Sequence, residues 1–548
     1  MKKTISLKNR IGQHTEILIF TLITLINLLF FVSYKFFPTL DGAAHLSNAN
    51  IINQIVVHHN ELFRQFFMIN PEPVPNWTSH MFLAILNLIM PAFLAEKLLL
   101  ILLLAGMPFA FRNLMQTIAP GKIWCSYLIF PFTHSMFFFF GFYNFCIASL
   151  FFLITLNYWL RNEASLFSVR KIIVLTLLLL VTYFSHILIF GFLGLLLGQR
   201  ILTVALYDLM QPGSKFLEIG RRLLQKLFAL LIASGVQLFL VIYFFYSRPS
   251  TQLVTYIPKK ELLQYIYQIR PLISMNQEIE GRFTRILFFL FLLMTLAGVI
   301  VWIIRYIRNA ERVSLTELQR LDSGHNPRIN IWWLTGSLVM GFTLFLFVPD
   351  AYGTASYTNL RIAYLLFMLL ILWFSLFRLP AWLGIFSAAV AVYVNFSLIM
   401  FYLPPIRENN KIAMACNKAA DKIAPNSLVL PIYCMDSWFH GHFVDYLSID
   451  KPVLMVYNYE CEMGYFPVKW NEKTKPNYHL GNSANPSNYI NFELIKGHPS
   501  LKLDYVFILG NYDPNKDWFF TTLHRILKEE FIRVYTSDFC SLYQNRNP

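Results

Sequence analysis

An acid and a histidine stand four residues apart just after the first hydrophobic segment, in Asp41-Gly-Ala-Ala-His45. Residues at this spacing share one face of a helical turn, so the two side chains can act together. Charged groups at the edge of a bilayer are costly unless hydrated or paired, which makes them candidates for function. The Asp41 carboxylate could take a proton from a hydroxyl, and His45 could orient it or contact a phosphate. The structural alternatives are an N-cap for Asp41, which is compatible with that role, and a packed interfacial histidine for His45.

The composition is that of an integral membrane protein. Of 548 residues, 56% are hydrophobic and only 14% are charged, which leaves too little polar surface for a soluble protein of this length. Apolar stretches of about twenty residues predict a mainly α-helical, polytopic bundle of about eleven membrane-spanning helices. We place these spans at 16–37, 92–113, 123–140, 142–160, 172–187, 188–206, 224–246, 285–305, 331–349, 361–378 and 381–402.

The distribution of Lys and Arg predicts the orientation. With the N-terminus in the cytoplasm, the inside loops are rich in basic residues, whereas the short outside turns near Tyr143 and His186 hold none. This asymmetry also accounts for most of the net charge of +15, so the charge gives no reason to expect a nucleic-acid partner. The first apolar segment lacks a small-residue cleavage site and is read as an uncleaved helix. The Asn-, Ile- and Lys-rich composition is typical of a bacterial protein, which predicts a multi-pass protein of the bacterial inner membrane.

The predicted outside loops collect side chains that could bind an anionic or sugar-like group. Arg361, at the outer end of a span, is the first candidate because a guanidinium contacts phosphate oxygens in bidentate fashion. Asp350 is a second candidate, and pairing with Arg361 is its structural alternative. The further candidates are Arg64, Lys259, Lys260, His186 and Asn144. Their alternatives are headgroup contacts for the basic residues, an interhelical hydrogen bond for the histidine and a turn for the asparagine, with neighbouring Tyr143 as an interface anchor.

The composition changes after residue 404. Residues 405–548 contain no long apolar run, and strand-like segments alternate with an amphipathic helix, which predicts a small α/β domain outside the membrane. The predicted domains are therefore a membrane domain, 1–404, and a soluble domain, 405–548. Within the first, the outside loop 41–90 is amphipathic and would lie in the membrane interface, or else pack against the spans.

The tail offers two further possibilities, a disulfide and a metal site. An outside location permits disulfides, and Cys434–Cys461 is one candidate pair, although sequence cannot fix the pairing. His440 and His442 lie near several acids, including Glu460, but their spacing fits no strong zinc pattern. Solvated loop residues are the preferred interpretation, and no metal ligand is assigned.

Four stretches and the order of the domains carry a family resemblance. The stretches are Asp41-Gly-Ala-Ala-His-Leu46, Ala95-Glu-Lys97, Gly141-Phe-Tyr-Asn-Phe145, and Pro349-Asp350 followed by Arg361. In this layout the chain resembles the GT-C glycosyltransferases, and among them the bacterial relatives of the protein mannosyltransferases and aminoarabinose transferases. The resemblance implies a sugar donor linked to polyprenyl phosphate, an extracytoplasmic glycan, lipid or protein acceptor, and a catalytic base that maps to Asp41.

The chain also departs from the family. The mannosyltransferases have a second acid next to that Asp, and Gly42 stands there instead. No cofactor is implied with certainty, and the use of a divalent cation stays open. Two other functions remain as alternatives: a transporter or flippase for a lipid or polysaccharide, and a non-catalytic protein of envelope assembly. A transporter would be expected to show internal repeats, and none is evident.

Overall fold

The structure is a computed structural model that describes residues 7–165, 168–247, 253–307, 326–353, 355–474 and 503–546. The fold is mainly α-helical, as predicted. The α-helices are Leu7–Val32, Gly42–Val56, Glu61–Phe66, Thr78–Asn87, Ala92–Ile118, Phe130–Thr133, Met136–Phe139, Tyr143–Asn162, Val169–Ser185, Ile187–Leu209, Phe216–Tyr246, Lys259–Tyr267, Gln277–Ile307, Pro327–Phe347, Thr358–Phe374, Ala381–Ala419, Tyr459–Met463 and Trp518–Glu530.

Among the described residues, eight helical segments are long and apolar enough to cross a membrane. They are His14–Val32, Ala92–Ile118, Tyr143–Asn162, Ile187–Leu209, Phe216–Tyr246, Gln277–Ile304, Pro327–Phe347 and Ala381–Lys422. Two shorter apolar helical segments, Ile123–Phe139 and Thr358–Phe374, coincide with two more of the predicted spans. These helices are those of a multi-pass membrane protein, whereas the count of eleven spans stays a prediction.

The chain forms two compact units, each assembled from separate segments. The first comprises Met1–Leu29, Ile101–Phe138 and Phe145–Phe401, and the second comprises Phe30–Leu100, Phe139–Asn144 and Tyr402–Pro548. We call them the helical unit and the tail unit. The tail unit thus includes residues 41–90, the predicted outside loop, as well as residues 405–548. The predicted division at residues 404 and 405 stays a prediction about which parts fold independently.

The tail unit contains the predicted α/β core. The strands of the chain are β1 Phe67–Ile69, β2 Val254–Thr255, β3 Ala351–Tyr352, β4 Ser427–Cys434, β5 Val453–Met455, β6 Val468–Trp470, β7 Tyr505–Gly510, β8 Phe531–Thr536 and β9 Cys540–Asn545. Five of them form one sheet in the order β5-β4-β7-β9-β8, in which β4 is parallel to both of its neighbours. β4 and β7 are almost wholly buried, as expected for central strands covered on both faces.

Within the predicted outside loop, residues 41–90, helix Gly42–Val56 packs inside the tail unit. Every residue of Gly42–Ile55 is buried, polar residues included. The Ser47 hydroxyl lies 2.7 Å from that of Ser448, and the Asn50 amide donates to the carbonyls of Ser448 and Lys451. Nearby, β1 pairs with β6 in register Phe67↔Trp470. Gly42–Val56 is therefore a packed helix whose buried asparagines have partners in the tail, and packing of the loop against the spans stays a prediction.

The cysteines form no disulfide. All six are free thiols, so the candidate pair Cys434–Cys461 is wrong. The tail unit is held by its apolar core and by the polar contacts of the first loop.

Candidate functional site

A tight turn places Asp41 at the start of helix Gly42–Val56. The backbone N–H groups of Leu40 and Asp41 donate to the carbonyls of Phe139 and Phe140, each at 3.1 Å. Gly141, which follows Phe140 in the sequence, has a φ of +73°. The left-handed conformation favours glycine at this point. Two segments distant in sequence therefore fix the backbone that carries the acid.

A side chain at Gly42 would force its neighbours to move. A Cβ built there would lie 2.5 Å from Thr39 Oγ1 and 2.6 Å from both Glu96 Oε1 and the Tyr143 hydroxyl. Real Cβ atoms essentially never approach heavy atoms so closely. A second acid at position 42 would have to displace these three side-chain ends, one of which is the carboxylate of Glu96 from another helix.

The Asp41 carboxyl is available for chemistry. Asp41 occupies the N-cap position, but its side chain makes no capping hydrogen bond, so the cap interpretation is wrong for the carboxyl. Burial raises its pKa to about 7, with Glu460 raising it further and His45 and Tyr459 lowering it. His442 Nε2 lies 3.6 Å from Asp41 Oδ1, and burial lowers the pKa of His442 to about 4. At neutral pH this imidazole is uncharged and does not neutralise the acid.

His45 meets a second histidine and an acid from the tail. His45 Nδ1 lies 3.1 Å from His80 Nε2 and 2.7 Å from Glu460 Oε1. His80 Nε2 lies 2.8 Å from Glu460 Oε2. All three side chains are buried, and their facing atoms lie within 4.8 Å of one another, which is the spacing of groups that could hold a metal ion. We call these three residues the His-His-Glu cluster.

Backbone and amide groups hold the cluster in place. The second ring nitrogen of each histidine faces a backbone carbonyl, Gly141 for His45 and Asn76 for His80. The Asn48 amide donates to Glu460 Oε2 at 2.8 Å. Burial raises the pKa of Glu460, but the neighbouring imidazoles of His80 and His45 prevail and hold it at about 2. The carboxylate is therefore ionised.

Glu96 and Tyr143 lie next to Gly42, in the turn that carries Asp41. The Tyr143 hydroxyl donates to Glu96 Oε1 at 2.6 Å and lies 2.9 Å from Thr39 Oγ1. Tyr143 is fully buried, so its prediction as an interface anchor is wrong: the ring fills the interior beside Gly42. This hydroxyl stabilises a buried carboxyl that would otherwise lack a donor at that oxygen.

Removal of this donor is expected to destabilise the tail unit. Tyr143→Phe leaves a buried acceptor unsatisfied, which costs about 1–3 kcal/mol. We expect a lower thermal unfolding temperature in detergent, measured by intrinsic fluorescence. Tyr393→Phe removes a hydroxyl from an exposed ring and is the matched control. Equal unfolding temperatures for the two variants would contradict the assigned contact.

Two other predicted residues of the tail unit have structural contacts. Arg64 is exposed and donates through Nε and Nη2 to the carbonyl of Ile55, near the end of helix Gly42–Val56. Asn144 accepts from the N–H of Ser79 and donates to the carbonyl of Asn76, which is the carbonyl that faces His80. Asn144 therefore positions the segment that carries His80. Substrate binding by either residue stays a prediction.

Arg361 and His186 lie in the helical unit and are brought together there. The Arg361 guanidinium lies 5.7 Å from the centroid of the Phe145 ring, and that ring lies 5.3 Å from the ring of His186. His186 Nδ1 is buried and makes no hydrogen bond to the described residues. An interhelical hydrogen bond is thus not seen at this atom.

The remaining predicted residues are also in the helical unit. Asp350 Oδ1 accepts from the N–H of Asn359 at 3.1 Å. Lys259 Nζ lies 4.4 Å from the centroid of the Phe347 ring, in cation–π geometry, and Lys260 is exposed. Roles in substrate binding stay predictions for all three residues.

Sequence reasoning missed several members of the site. His80 and Tyr459 were not singled out, and Glu96 and Glu460 appeared only as parts of other patterns. Two of them, His80 and Glu96, could have been found as ionisable residues within apolar segments. His80 lies in the apolar segment Thr78–Asn87, and Glu96 lies in the first turns of an apolar helix. The sequence spacing of these residues does not predict that they lie close to Asp41 and His45.

No protein-family model matches this chain, and no curated protein sequence matches it significantly.

Proposed function

We propose that this protein is a membrane glycosyltransferase that moves a sugar from a polyprenyl-phosphate donor to a hydroxyl of an extracytoplasmic acceptor, with Asp41 as the general base. One observation carries the proposal. Asp41 is a buried acid at the first helical turn after the first apolar helix, and its carboxyl makes no capping hydrogen bond to that helix. The layout of the chain, which resembles the GT-C enzymes, supplies the reaction class.

The reaction needs a proton acceptor. The acceptor oxygen attacks the anomeric carbon, the bond from that carbon to the phosphate oxygen breaks, and its electron pair leaves with polyprenyl phosphate. The proton of the attacking hydroxyl passes to Asp41. A base works best when its pKa lies near the operating pH, and the pKa of about 7 that burial gives Asp41 meets this condition. Neutral His442, 3.6 Å away, adds no positive charge that would lower this pKa further.

The remaining assignments follow from the resemblance and the charge distribution. Arg361 is the first candidate for the donor phosphate because Arg is suited to bidentate contact with phosphate oxygens. The basic inside loops support an N-terminus in the cytoplasm, a tail outside it and a place in the bacterial inner membrane. The acceptor is a glycan, a lipid or a protein, and no nucleic acid takes part.

The experiment is a donor screen with the full chain in detergent. Purified protein is incubated with undecaprenyl phosphates carrying different labelled hexoses and pentoses, together with envelope extract as acceptor. We expect release of undecaprenyl phosphate from one class of donor. Transport of intact donor across vesicles by the reconstituted protein, with no cleavage of any donor, would instead indicate a flippase. Loss of an envelope glycan in a deletion strain, detected by mass, would identify the acceptor.

A further inference from the structure

We propose that His45, His80 and Glu460 form a binding site for one divalent transition-metal ion, most closely suited to Zn²⁺. The ion would join three segments, which are helix Gly42–Val56, helix Thr78–Asn87 and the tail helix Tyr459–Met463. It lies within the tail unit, and it does not depend on the proposed glycosyl transfer.

The first argument concerns which ring nitrogens of His45 and His80 carry a hydrogen. His45 Nε2 lies 2.9 Å from the carbonyl of Gly141, and His80 Nδ1 lies 3.1 Å from the carbonyl of Asn76. A carbonyl only accepts, so each of these nitrogens carries a hydrogen. A metal ion binds a ring nitrogen that carries none, so in the metal-bound site the other nitrogen of each ring presents its lone pair, and both of these nitrogens face Glu460.

Three acceptors facing one another repel unless a cation lies among them. The two nitrogens are 3.1 Å apart, and each lies within 2.8 Å of a Glu460 oxygen. Protonation of both rings would place two imidazolium groups at that distance in the interior. One metal ion satisfies all three lone pairs at once. Zn–N distances of about 2.0–2.1 Å in tetrahedral geometry separate the two nitrogens by about 3.3 Å, which is close to the 3.1 Å between them, whereas the contacts of 2.7 and 2.8 Å to Glu460 must lengthen when the ion enters.

The second argument concerns the carboxylate. Glu460 is fully buried, and His45 Nδ1, 2.7 Å from its Oε1, gives that oxygen no hydrogen once it presents a lone pair. Buried polar atoms rarely stay unsatisfied, and a bound ion is one established reason when they do. The other oxygen, Oε2, accepts from the Asn48 amide, whose own oxygen accepts from Asn458. This outer layer fixes the orientation of the carboxylate in the way that metal ligands are usually held.

The donor set indicates the kind of metal. Two imidazoles and one carboxylate suit Zn²⁺ and its first-row neighbours, whereas Mg²⁺ and Ca²⁺ prefer oxygen ligands alone. Carbonyl groups bound to the distal ring nitrogens are the common outer partners of zinc-binding histidines. Three protein ligands leave a fourth position, which in zinc sites is filled by water or substrate.

The experiment measures the metal in the intact protein. Full-length protein is purified without a histidine tag or chelator, supplemented with ZnCl₂, desalted and analysed by elemental mass spectrometry. We expect about one zinc per chain for the wild type, in line with a single three-ligand site. His80→Gln and Glu460→Gln should lose it, and Asn48→Ala should lower zinc affinity about 10–100-fold through the outer layer. His524→Ala, at an exposed histidine, is the matched control and should retain the ion.

Two further measurements separate metal binding from folding. Thermal unfolding distinguishes a lost ligand from a lost fold, and replacement of zinc by Co²⁺ in the wild type should give the visible absorption of a four-coordinate His/carboxylate site even if every variant unfolds. Wild type that holds no more zinc than His80→Gln, and that gives no Co²⁺ spectrum, would overturn the proposal. Asp41→Asn should keep its zinc while losing transfer, so failure of the metal site and failure of the proposed function are told apart.

Discussion

Asp41→Asn is expected to lower the rate of sugar transfer by about 10²–10⁴-fold, the range that a general base contributes. The amide has nearly the shape of the carboxyl but cannot accept the proton of the attacking hydroxyl. Because the Asp41 side chain makes no capping hydrogen bond, its replacement should leave helix Gly42–Val56 intact. The measurement is the release of undecaprenyl phosphate at saturating donor and acceptor.

The control for this variant is Asp436→Asn, which makes the same change at an exposed acid of the tail. It should transfer at the wild-type rate. Asp41→Asn should unfold at or above the wild-type temperature, since removing a buried carboxyl whose pKa is raised removes a cost of ionisation, and Asp436→Asn should unfold at the wild-type temperature. Wild-type turnover by Asp41→Asn would remove Asp41 from the mechanism.

Gly42→Ala is expected to damage both stability and transfer. The added Cβ would meet Thr39 Oγ1, Glu96 Oε1 and the Tyr143 hydroxyl at 2.5–2.6 Å, so these hydrogen-bonded side chains must shift. Overpacking of this kind costs about 1–3 kcal/mol. Because the same turn carries Asp41, a displacement of about 1 Å would slow transfer by about 10²-fold. Thermal unfolding and the transfer assay measure the two effects.

The matched control is Gly194→Ala, in an apolar helix where a Cβ would meet no atom within 4 Å. It should match the wild type in both assays. Gly42→Asp, which introduces the second acid of the family pattern, should be more severe than Gly42→Ala because a larger and charged group enters the same space. A fully active Gly42→Asp protein would contradict the assigned packing.

The membrane helices were predictable because their signal is local. Runs of apolar residues long enough to cross a bilayer are visible in any short window, and the described spans lie close to the predicted ones. The strands β4 and β7 were predicted for the same reason, since central strands are apolar throughout. The folded first loop was harder, because the asparagines that make Gly42–Val56 look amphipathic are buried against partners in the tail.

The candidate site also combines residues that the sequence predicted with residues that it did not. Asp41 and His45 were found because they lie one helical turn apart. His80 lies 35 residues from His45, and Glu460 lies 380 residues from His80, so no spacing rule connects them. The sequence-based assignment of no metal ligand rested on the absence of a short zinc pattern in the tail, whereas the ligands proposed above come from three separate segments. The departure at Gly42 has a steric cause that only the neighbouring Glu96 and Tyr143 reveal.

The most direct test of Asp41 as the base is chemical rescue. In Asp41→Ala, transfer by the purified protein should be close to zero in chloride and should rise with added formate, which supplies a carboxylate in the space left by the side chain. Formate should not accelerate the wild type. An Asp41→Ala protein that transfers sugar in chloride as fast as the wild type would contradict the central claim.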